Sequence, residues 1–219
     1  MDSNVEVGLQ VAEYLLQIKA IELNPRTPFT WASGLKSPIY CDNRKTLSYP
    51  TLRTHIRQQF VNAIQKHFGP ADVIVGVATG GIAIGALIAQ EMGLPFAYVR
   101  SEAKKHGLGN QVEGVIEPKQ KVIVIEDLVS TGKSSLAAVD ALRNIDANVV
   151  GMLAIFTYEF QQAEEAFRSA QVKLHTLTNY HLLLEKAVQK DYITEDQLDS
   201  LKEWRKSPSD WSANFLSRA

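Results

Sequence analysis

The sequence has little cysteine, no long apolar run and almost no net charge. A single cysteine, Cys41, excludes an internal disulfide bond and favours a reducing compartment. No apolar stretch approaches the roughly 20 residues that a membrane-spanning helix needs, and the first residues lack a basic, apolar signal segment. The formal net charge of −1 at pH 7 gives no overall attraction to nucleic acid or to an anionic membrane. These absences predict a cytoplasmic protein in which any anion site is local.

A length of 219 residues predicts one domain, 1–219, in which residues 1–48 form a smaller N-terminal piece. Short apolar runs predict strands at 73–77, 95–99, 122–126, 149–156 and 172–177. Helical patterns lie between them, and the one after residue 133 carries an apolar stripe of Leu136, Val139, Leu142 and Ile145. This alternation predicts an α/β fold with an open, mostly parallel sheet flanked by helices and with ligands at the strand ends. His55 and His67 are expected at the surface.

The clearest chemical pattern lies at residues 122–135, which read V-I-V-I-E-D-L-V-S-T-G-K-S-S. The four leading apolar residues are typical of a strand buried on both faces. Glu126 and Asp127 follow directly, and then a loop of small hydroxyl residues with Gly132 opens a helix. Free N–H groups in such a loop and in the first helical turn bind phosphate oxygens. The two carboxylates would repel a phosphate, so they are expected to face sugar hydroxyls or a metal ion.

Two other interpretations fit parts of this stretch. The ending G-K-S suggests a P-loop, but that motif needs a glycine five positions before Gly132, where Asp127 stands. An ordinary strand-to-helix turn capped by Ser134 would leave two adjacent acids at the end of a buried strand unexplained.

The stretch resembles the phosphoribosyl-diphosphate (PRPP) binding motif of the type I phosphoribosyltransferases. The shared features are an apolar strand, E-D, two apolar residues, S-T-G and a small hydroxyl residue. The resemblance implies that the acid pair contacts the ribose hydroxyls, that Asp127 is also catalytic, and that the following loop holds the 5-phosphate. The PRPP contacts that it implies here are Glu126, Asp127, Leu128, Val129, Ser130, Thr131, Gly132, Lys133 and Ser134.

A second loop of small residues, A-T-G-G at 78–81, follows the predicted strand 73–77. Its backbone N–H groups offer a second anion site, and a tight turn whose glycines merely allow close packing is the alternative. In the resembling family the loop at this place contacts the pyrophosphate of PRPP. Some members have a lysine there, whereas this chain has Gly80, so the backbone is expected to bind.

Residues 29–45 read F-T-W-A-S-G-L-K-S-P-I-Y-C-D-N-R-K and predict strands joined by a turn at Ser33-Gly34. A hairpin that only covers the core is the alternative. The segment resembles the N-terminal signature of the orotate phosphoribosyltransferases, which forms a hood over the pyrimidine base. The resemblance places Tyr40 near the base, Arg44 near the site and Ser130 against orotate. The chain lacks basic residues that many members have, at Ala32, Gly80 and Ser101.

Residues 101–114 follow Arg100 and combine three glycines with several cations, without an apolar period. This composition is typical of a mobile basic loop, and a solvated surface loop is the alternative. The pattern R-x-E-A-K-x-H-G resembles the catalytic loop of the orotate phosphoribosyltransferases. It implies that Arg100, Lys104 and His106 bind PRPP, and that Lys104 and His106 act in catalysis as charge grows on the leaving pyrophosphate. In the family this loop, here 100–114, reaches into the neighbouring subunit, which implies a homodimer.

Together the motifs predict transfer of the 5-phosphoribosyl group from PRPP to orotate, giving orotidine 5′-monophosphate and pyrophosphate in pyrimidine biosynthesis. Mg²⁺ is the expected cofactor, held mainly through PRPP, and no residue is assigned to it directly. Two alternatives stay open: a phosphoribosyltransferase for another base, and a PRPP-sensing regulator without turnover. Neither nucleic acid nor a membrane is an expected partner.

Overall fold

The structure is a computed structural model that describes residues 5–31, 33–101 and 111–218. The helices are α1 (Val5–Gln17), α2 (Pro50–His67), α3 (Gly80–Met92), α4 (Lys133–Arg143), α5 (Gln161–Ser169), α6 (Tyr180–Gln189), α7 (Glu195–Lys206) and α8 (Pro208–Arg218). The strands are β1 (Ile21–Leu23), β2 (Phe29–Thr30), β3 (Lys36–Ser37), β4 (Ile39–Cys41), β5 (Val73–Val77), β6 (Phe96–Val99), β7 (Val112–Glu113), β8 (Lys121–Val129), β9 (Asn148–Thr157) and β10 (Leu174–Asn179). A 3-10 helix, Asn43–Ser48, precedes α2.

Six strands form the central sheet, in the order β10-β9-β8-β5-β6-β7. Neighbouring strands are parallel except for β6 and β7, which are antiparallel. The strand order reverses between β5 and β8, because β6 follows β5 on one side while β9 and β10 follow β8 on the other. Open α/β sheets bind ligands at such a switch point. The predicted α/β fold, with an open and mostly parallel sheet flanked by helices, is confirmed.

The two faces of the sheet bury separate apolar clusters, because successive strand residues point to opposite faces. In β8, Ile123 and Ile125 belong to the cluster that α1, α2, α3 and α6 cover. Val122 and Val124 belong to the cluster that α4 and α5 cover. All four side chains are fully buried, so the predicted two-sided burial of this strand is confirmed.

The N-terminal segment forms two small antiparallel sheets, β1 with β4 and β2 with β3. The predicted turn at Ser33-Gly34 connects β2 to β3, and the Gly34 N–H donates to the Trp31 carbonyl at 2.8 Å. The Trp31 ring packs edge-on against Trp204 of α7, which fastens these strands to the C-terminal helices. α1 packs instead against β10 and α6. The division of the chain at residue 48 stays a prediction.

Several boundaries differ from the sequence-based expectation. β8 continues to Val129, because β9 pairs with it that far, so the acid pair lies within the strand rather than after it. The expected core stripe of α4 was wrong at Ile145, which is 37% exposed because the helix ends at Arg143. Strand β7 and helix α8 were not predicted.

The expectation of surface positions for His55 and His67 was also wrong. Both are half-buried, since their rings contact Tyr14 and His175 respectively. No helix in the described ranges is long and apolar enough to cross a membrane.

Candidate active site

A cavity of about 400 Å³ opens at the carboxyl ends of β5 and β8, at the switch point of the sheet. Three segments line it: the end of β8 with the loop after it, the loop after β5, and the chain after β4. The lining residues are Glu126, Asp127, Leu128, Ser130, Thr131, Gly132, Ser134, Ala78, Thr79, Gly80, Cys41, Asp42 and Arg44. A larger cavity of about 620 Å³ lies beside α7 and α8, but the acid pair and both small-residue loops are at the smaller one.

The loop after β8 depends on Gly132, whose φ of +80° lies in the left-handed region. α4 begins at the next residue, Lys133, so its first turn carries main-chain N–H groups that have no helical partner. The hydroxyl-bearing residues Ser130, Thr131 and Ser134 line the cavity at the same end. Free N–H groups, hydroxyls and the helix dipole together suit a phosphate.

The two acids of the pair point to opposite faces of β8, as successive strand residues do. Glu126 points toward α4 with 5% of its surface exposed, and the Ser135 hydroxyl donates to its Oε1 at 2.9 Å. Burial first, and the neighbouring Asp127 charge second, raise the pKa of Glu126 to about 8. At neutral pH these surroundings therefore favour the neutral, protonated form of this carboxyl.

Asp127 points the other way, directly against Gly80 at the start of α3. A Cβ atom at residue 80 would overlap the Asp127 carboxyl group, so glycine is needed to leave that group in place. Gly81 likewise lies against the main chain of β8. The close-packing alternative for the A-T-G-G loop is therefore confirmed for these glycines, although the loop also lines the cavity. Burial raises the pKa of Asp127, and the nearby Arg44 guanidinium partly opposes this.

Asn43 connects the N-terminal segment to the acid pair. It is 1% exposed, and its Nδ2 donates to the main-chain oxygen of Asp127 at 2.7 Å. The main-chain hydrogen bonds between β5 and β8 end at Ile125. Asn43 therefore supplies a donor to the β8 main chain beyond that point. The Cys41 thiol donates in turn to Asn43 Oδ1 at 3.4 Å. Burial raises the pKa of the Cys41 thiol well above its usual value, so the thiol is protonated at neutral pH.

Arg44 is the cationic side chain among the residues that line the cavity. Its Nε and one terminal nitrogen donate to the two carboxylate oxygens of Asp42, at 2.7 and 3.1 Å. These hydrogen bonds lower the pKa of Asp42 and raise that of Arg44. With Glu126 and Asp127 also present, carboxyl groups outnumber cations in the described lining.

The structure brings most of the predicted PRPP residues of the β8 motif together in this cavity. Val129 does not line it, because its side chain is fully buried in the core, and exposed Lys133 lies outside the lining. Arg100 lies at the end of β6, where it pairs with Glu113 at 3.5 Å rather than lining the cavity. Lys104 and His106 lie outside the described residues.

Of the two residues of segment 29–45 that the resemblance placed near the site, only one lines the cavity. Arg44 lines the cavity, whereas Tyr40 does not: it is 40% exposed, and its ring centroid lies 5.7 Å from that of Phe29. Ala32 lies outside the described residues.

The sequence-based reasoning missed four residues at the site: Cys41, Asp42, Asn43 and Ser135. Cys41 is the last residue of β4, and Asp42 and Asn43 follow it directly, so polar residues at a strand end were the available signal. Ser135 stands one position beyond the resembling motif, and nothing in its local pattern distinguishes it from an ordinary helix residue. The contact between Asn43 and Asp127 crosses 84 positions of the chain, so no local spacing could reveal it.

Among the described residues there is no cluster of three histidine, cysteine, aspartate or glutamate side chains that could hold a metal ion. The acidic lining nevertheless suits a site whose polyanionic ligand arrives with its own cation.

Comparison with known proteins agrees with this geometry. The family model for the phosphoribosyl transferase domain matches residues 48–178. This match defines the class of the protein, which is a phosphoribosyltransferase. The chain is 55% identical over 202 residues to an orotate phosphoribosyltransferase of Bacteroides thetaiotaomicron, covering 92% of this chain and 95% of that protein. The chain belongs to the orotate phosphoribosyltransferase family.

Two further relatives support this assignment. An orotate phosphoribosyltransferase of Streptococcus agalactiae is 52% identical over 209 residues, which cover 95% of this chain and 100% of that protein. The crystal structure of orotate phosphoribosyltransferase from Aeropyrum pernix is 28% identical and has a TM-score of 0.70, covering 80% of this chain and 97% of that chain. The similarity therefore extends to both sequence and fold.

Proposed function

We propose that this protein transfers the 5-phosphoribosyl group of PRPP to orotate, giving orotidine 5′-monophosphate and pyrophosphate in pyrimidine biosynthesis. The observation that carries the proposal is the acid pair Glu126–Asp127 beside the free N–H groups of the loop at 130–134, in one cavity. Carboxylates that accept hydrogen bonds from sugar hydroxyls, next to N–H groups that bind a phosphate, fit a sugar phosphate. The relatives at 52–55% identity are named for orotate, which favours this base over the alternatives.

In this function the residues of the β8 motif hold the ribose 5-phosphate half of PRPP. Glu126 and Asp127 accept hydrogen bonds from the ribose hydroxyls. The loop at 130–134 and the first turn of α4 bind the 5-phosphate, with Ser130 also reaching orotate. Leu128 and Val129 contribute through the main chain, since Val129 is buried in the core.

The reaction breaks the bond between C1 of the ribose and the pyrophosphate oxygen, and a bond from C1 to the orotate nitrogen forms. The bonding electrons leave with pyrophosphate, so positive charge develops on the ribose and negative charge on the leaving group. The Asp127 carboxylate favours the positive charge. Arg100, Lys104 and His106, from the loop at 100–114, neutralise the negative charge, and a closed loop excludes water.

Mg²⁺ fits the lining described above, because a polyanionic substrate has to enter a cavity with more carboxyl groups than cations. We assign it to oxygens of PRPP rather than to a cluster of side chains. When bound, the ion would supply charge neutralisation for the polyanionic substrate. The A-T-G-G loop contributes backbone N–H groups on the same side, because Gly80 has no side chain to offer.

We further propose a homodimer in which the loop at 100–114 of one subunit completes the site of the other. The support is the sequence pattern of that loop, together with the scarcity of cations in the described lining, where Arg44 stands against three carboxyl groups. A cytoplasmic location suits the single free thiol of Cys41.

The test is to follow orotate absorbance after adding PRPP and Mg²⁺ to the purified protein. We expect the orotate absorbance to decrease and EDTA to prevent this decrease. Uracil serves as the control base. Pyrophosphate release with uracil or a purine but not with orotate would reassign the base. PRPP binding without turnover of any base would identify a PRPP sensor instead.

A further inference from the structure

Ser135 is a buried polar residue at the site that the PRPP motif does not include. It is the third residue of α4, is 1% exposed, and donates its hydroxyl hydrogen to Oε1 of Glu126 at 2.9 Å. Glu126 is itself 5% exposed, so this bond lies out of contact with bulk water. A hydrogen bond to a buried carboxyl is strong because water does not compete for either partner.

We propose that Ser135 is the positioning residue of the acid pair: its hydroxyl fixes the Glu126 carboxyl and favours the ionised form that receives a ribose hydroxyl of PRPP. With Oε1 accepting from Ser135, Oε2 is the oxygen that we assign to the substrate. The inference rests on the proposed role of Glu126 in binding PRPP.

The surroundings of Glu126 explain why such a donor is needed. Burial and the adjacent Asp127 both favour the neutral carboxylic acid, and they raise the pKa of Glu126 to about 8. The elements packed around it bring Ala154, its partner in β9, and Ser135 from α4. Of these two residues, Ser135 has the side-chain hydrogen that can stabilise the anion, and its hydrogen bond acts to lower the pKa.

Asp127 has a different environment. It points to the opposite face of β8, where the Arg44 guanidinium partly compensates for burial. The pair is therefore supported from two sides, by a hydroxyl on the α4 side and by a cation on the hood side.

The test measures the dissociation constant of PRPP, with Mg²⁺ present, by titration calorimetry from pH 6.5 to 9.5. Ser135→Ala removes the donor and keeps a good helix-forming residue, so folding should be preserved. We expect the pH midpoint for PRPP binding to rise by about one unit, which weakens binding about tenfold at pH 7. Toward pH 9.5 the affinities of the variant and of the wild type should approach each other, since most Glu126 is then ionised in both proteins.

Two variants serve as controls. Ser135→Thr keeps the hydroxyl and should keep the wild-type midpoint. Ser212→Ala removes a different buried hydroxyl, which accepts from the Lys36 N–H at 2.9 Å, and should also leave the midpoint unchanged. A Ser135→Ala affinity that differs from wild type by the same factor at every pH, or not at all, would overturn the inference, as would a raised midpoint in Ser135→Thr.

Glu126→Gln separates this inference from the function on which it rests. Glutamine is neutral at every pH. This variant should therefore bind PRPP weakly, and its affinity should not show the pH midpoint that Glu126 causes. If Glu126→Gln binds PRPP as the wild type does, the proposed role of Glu126 fails. If Glu126→Gln binds weakly while Ser135→Ala behaves as wild type, the inference about Ser135 fails and the proposed function stands.

Discussion

At the scale of single residues, the acid pair shows how two adjacent carboxyl groups acquire different environments. Glu126 and Asp127 alternate across β8, so one meets α4 and the other meets α3. Glu126 receives a hydroxyl hydrogen bond there, whereas Asp127 lies against a glycine and near a guanidinium. Burial raises the pKa of both carboxyl groups, and it raises that of Glu126 to about 8. Identical chemistry in the sequence therefore becomes two distinct groups in the fold.

Gly80→Ala tests the packing of Asp127 against α3. The added methyl group would overlap the Asp127 carboxyl, so the carboxylate has to move away from the ribose hydroxyls. We expect the dissociation constant of PRPP to rise about tenfold or more, while the helix propensity of alanine offsets part of the strain in the free protein. Titration calorimetry with Mg·PRPP measures the change.

A double-mutant cycle supplies the control for Gly80→Ala. If the methyl group acts through Asp127, adding it to Asp127→Ala should weaken PRPP binding little further. Fully additive losses would show that residue 80 acts on PRPP by another route, such as its own N–H group.

At the scale of secondary-structure elements, α2 and β10 meet through a pair of histidines. The rings of His67, the last residue of α2, and His175 stack with centroids 4.4 Å apart and planes inclined by 29°. Burial first, and the facing His67 second, lower the pKa of His175 to about 4. The Lys173 ammonium donates to the His67 carbonyl at 2.8 Å and adds positive charge nearby. The junction therefore favours a neutral imidazole at His175.

This junction predicts an acid-sensitive stability. The unfolded chain takes up a proton at His175 below its ordinary pKa of 6.5, whereas the folded chain does so only near pH 4. The folded state therefore loses stability as pH falls from about 6.5 to 4, and no further below that. After allowance for the partial exposure of the ring, we expect about 1–2 kcal/mol from this group.

His175→Phe provides the comparison, since phenylalanine keeps an aromatic ring but cannot take up a proton. Urea unfolding at pH 7, 5.5 and 4.5 should show a smaller loss of stability in His175→Phe than in the wild type. Parallel pH profiles for the two proteins would mean that His175 is protonated in the folded state as readily as in the unfolded chain.

At the scale of the whole molecule, the cavity exists because the strand order reverses between β5 and β8. The two loops that leave these strands run to opposite faces of the sheet, to α3 and α4, and open a crevice between them. The chain after β4 closes one side, where Asn43 binds the main chain of Asp127. The described part of this crevice is rich in carboxyl groups, so the proposed binding of a polyanion requires cations from elsewhere.

Mixed dimers test whether those cations come from a second subunit. Lys104→Ala alone should reduce kcat by on the order of 10² or more, because its charge stabilises the leaving pyrophosphate. When Lys104→Ala and Asp127→Ala subunits are unfolded, mixed in equal amounts and refolded, a loop shared across subunits leaves one intact site in each mixed dimer. Activity should then recover to about a quarter of the wild-type value. No recovery, although wild-type protein refolds under the same conditions, would place loop and acid pair in the same subunit.

Much of the fold could be predicted because its signals are local. The strand, acid pair, loop and helix start of residues 121–143 are consecutive in the chain, so their order and chemistry are readable without a structure. The same holds for β5 and α3, and for the turn between β2 and β3. The errors fell where neighbours from other elements decide the outcome: β9 extends β8 to Val129, and β10 brings His175 onto His67.

The sequence by itself determined the alternation of strands and helices, the acid pair and the two small-residue loops, since each depends on residues within a few positions of one another. Only the tertiary structure decided that Gly80 lies against Asp127, that Ser135 binds Glu126, and that Asn43 reaches the main chain beyond the end of β5. These contacts depend on how closely α3, α4 and the N-terminal segment approach one strand. That approach results from packing the whole core, which no local pattern of residues encodes.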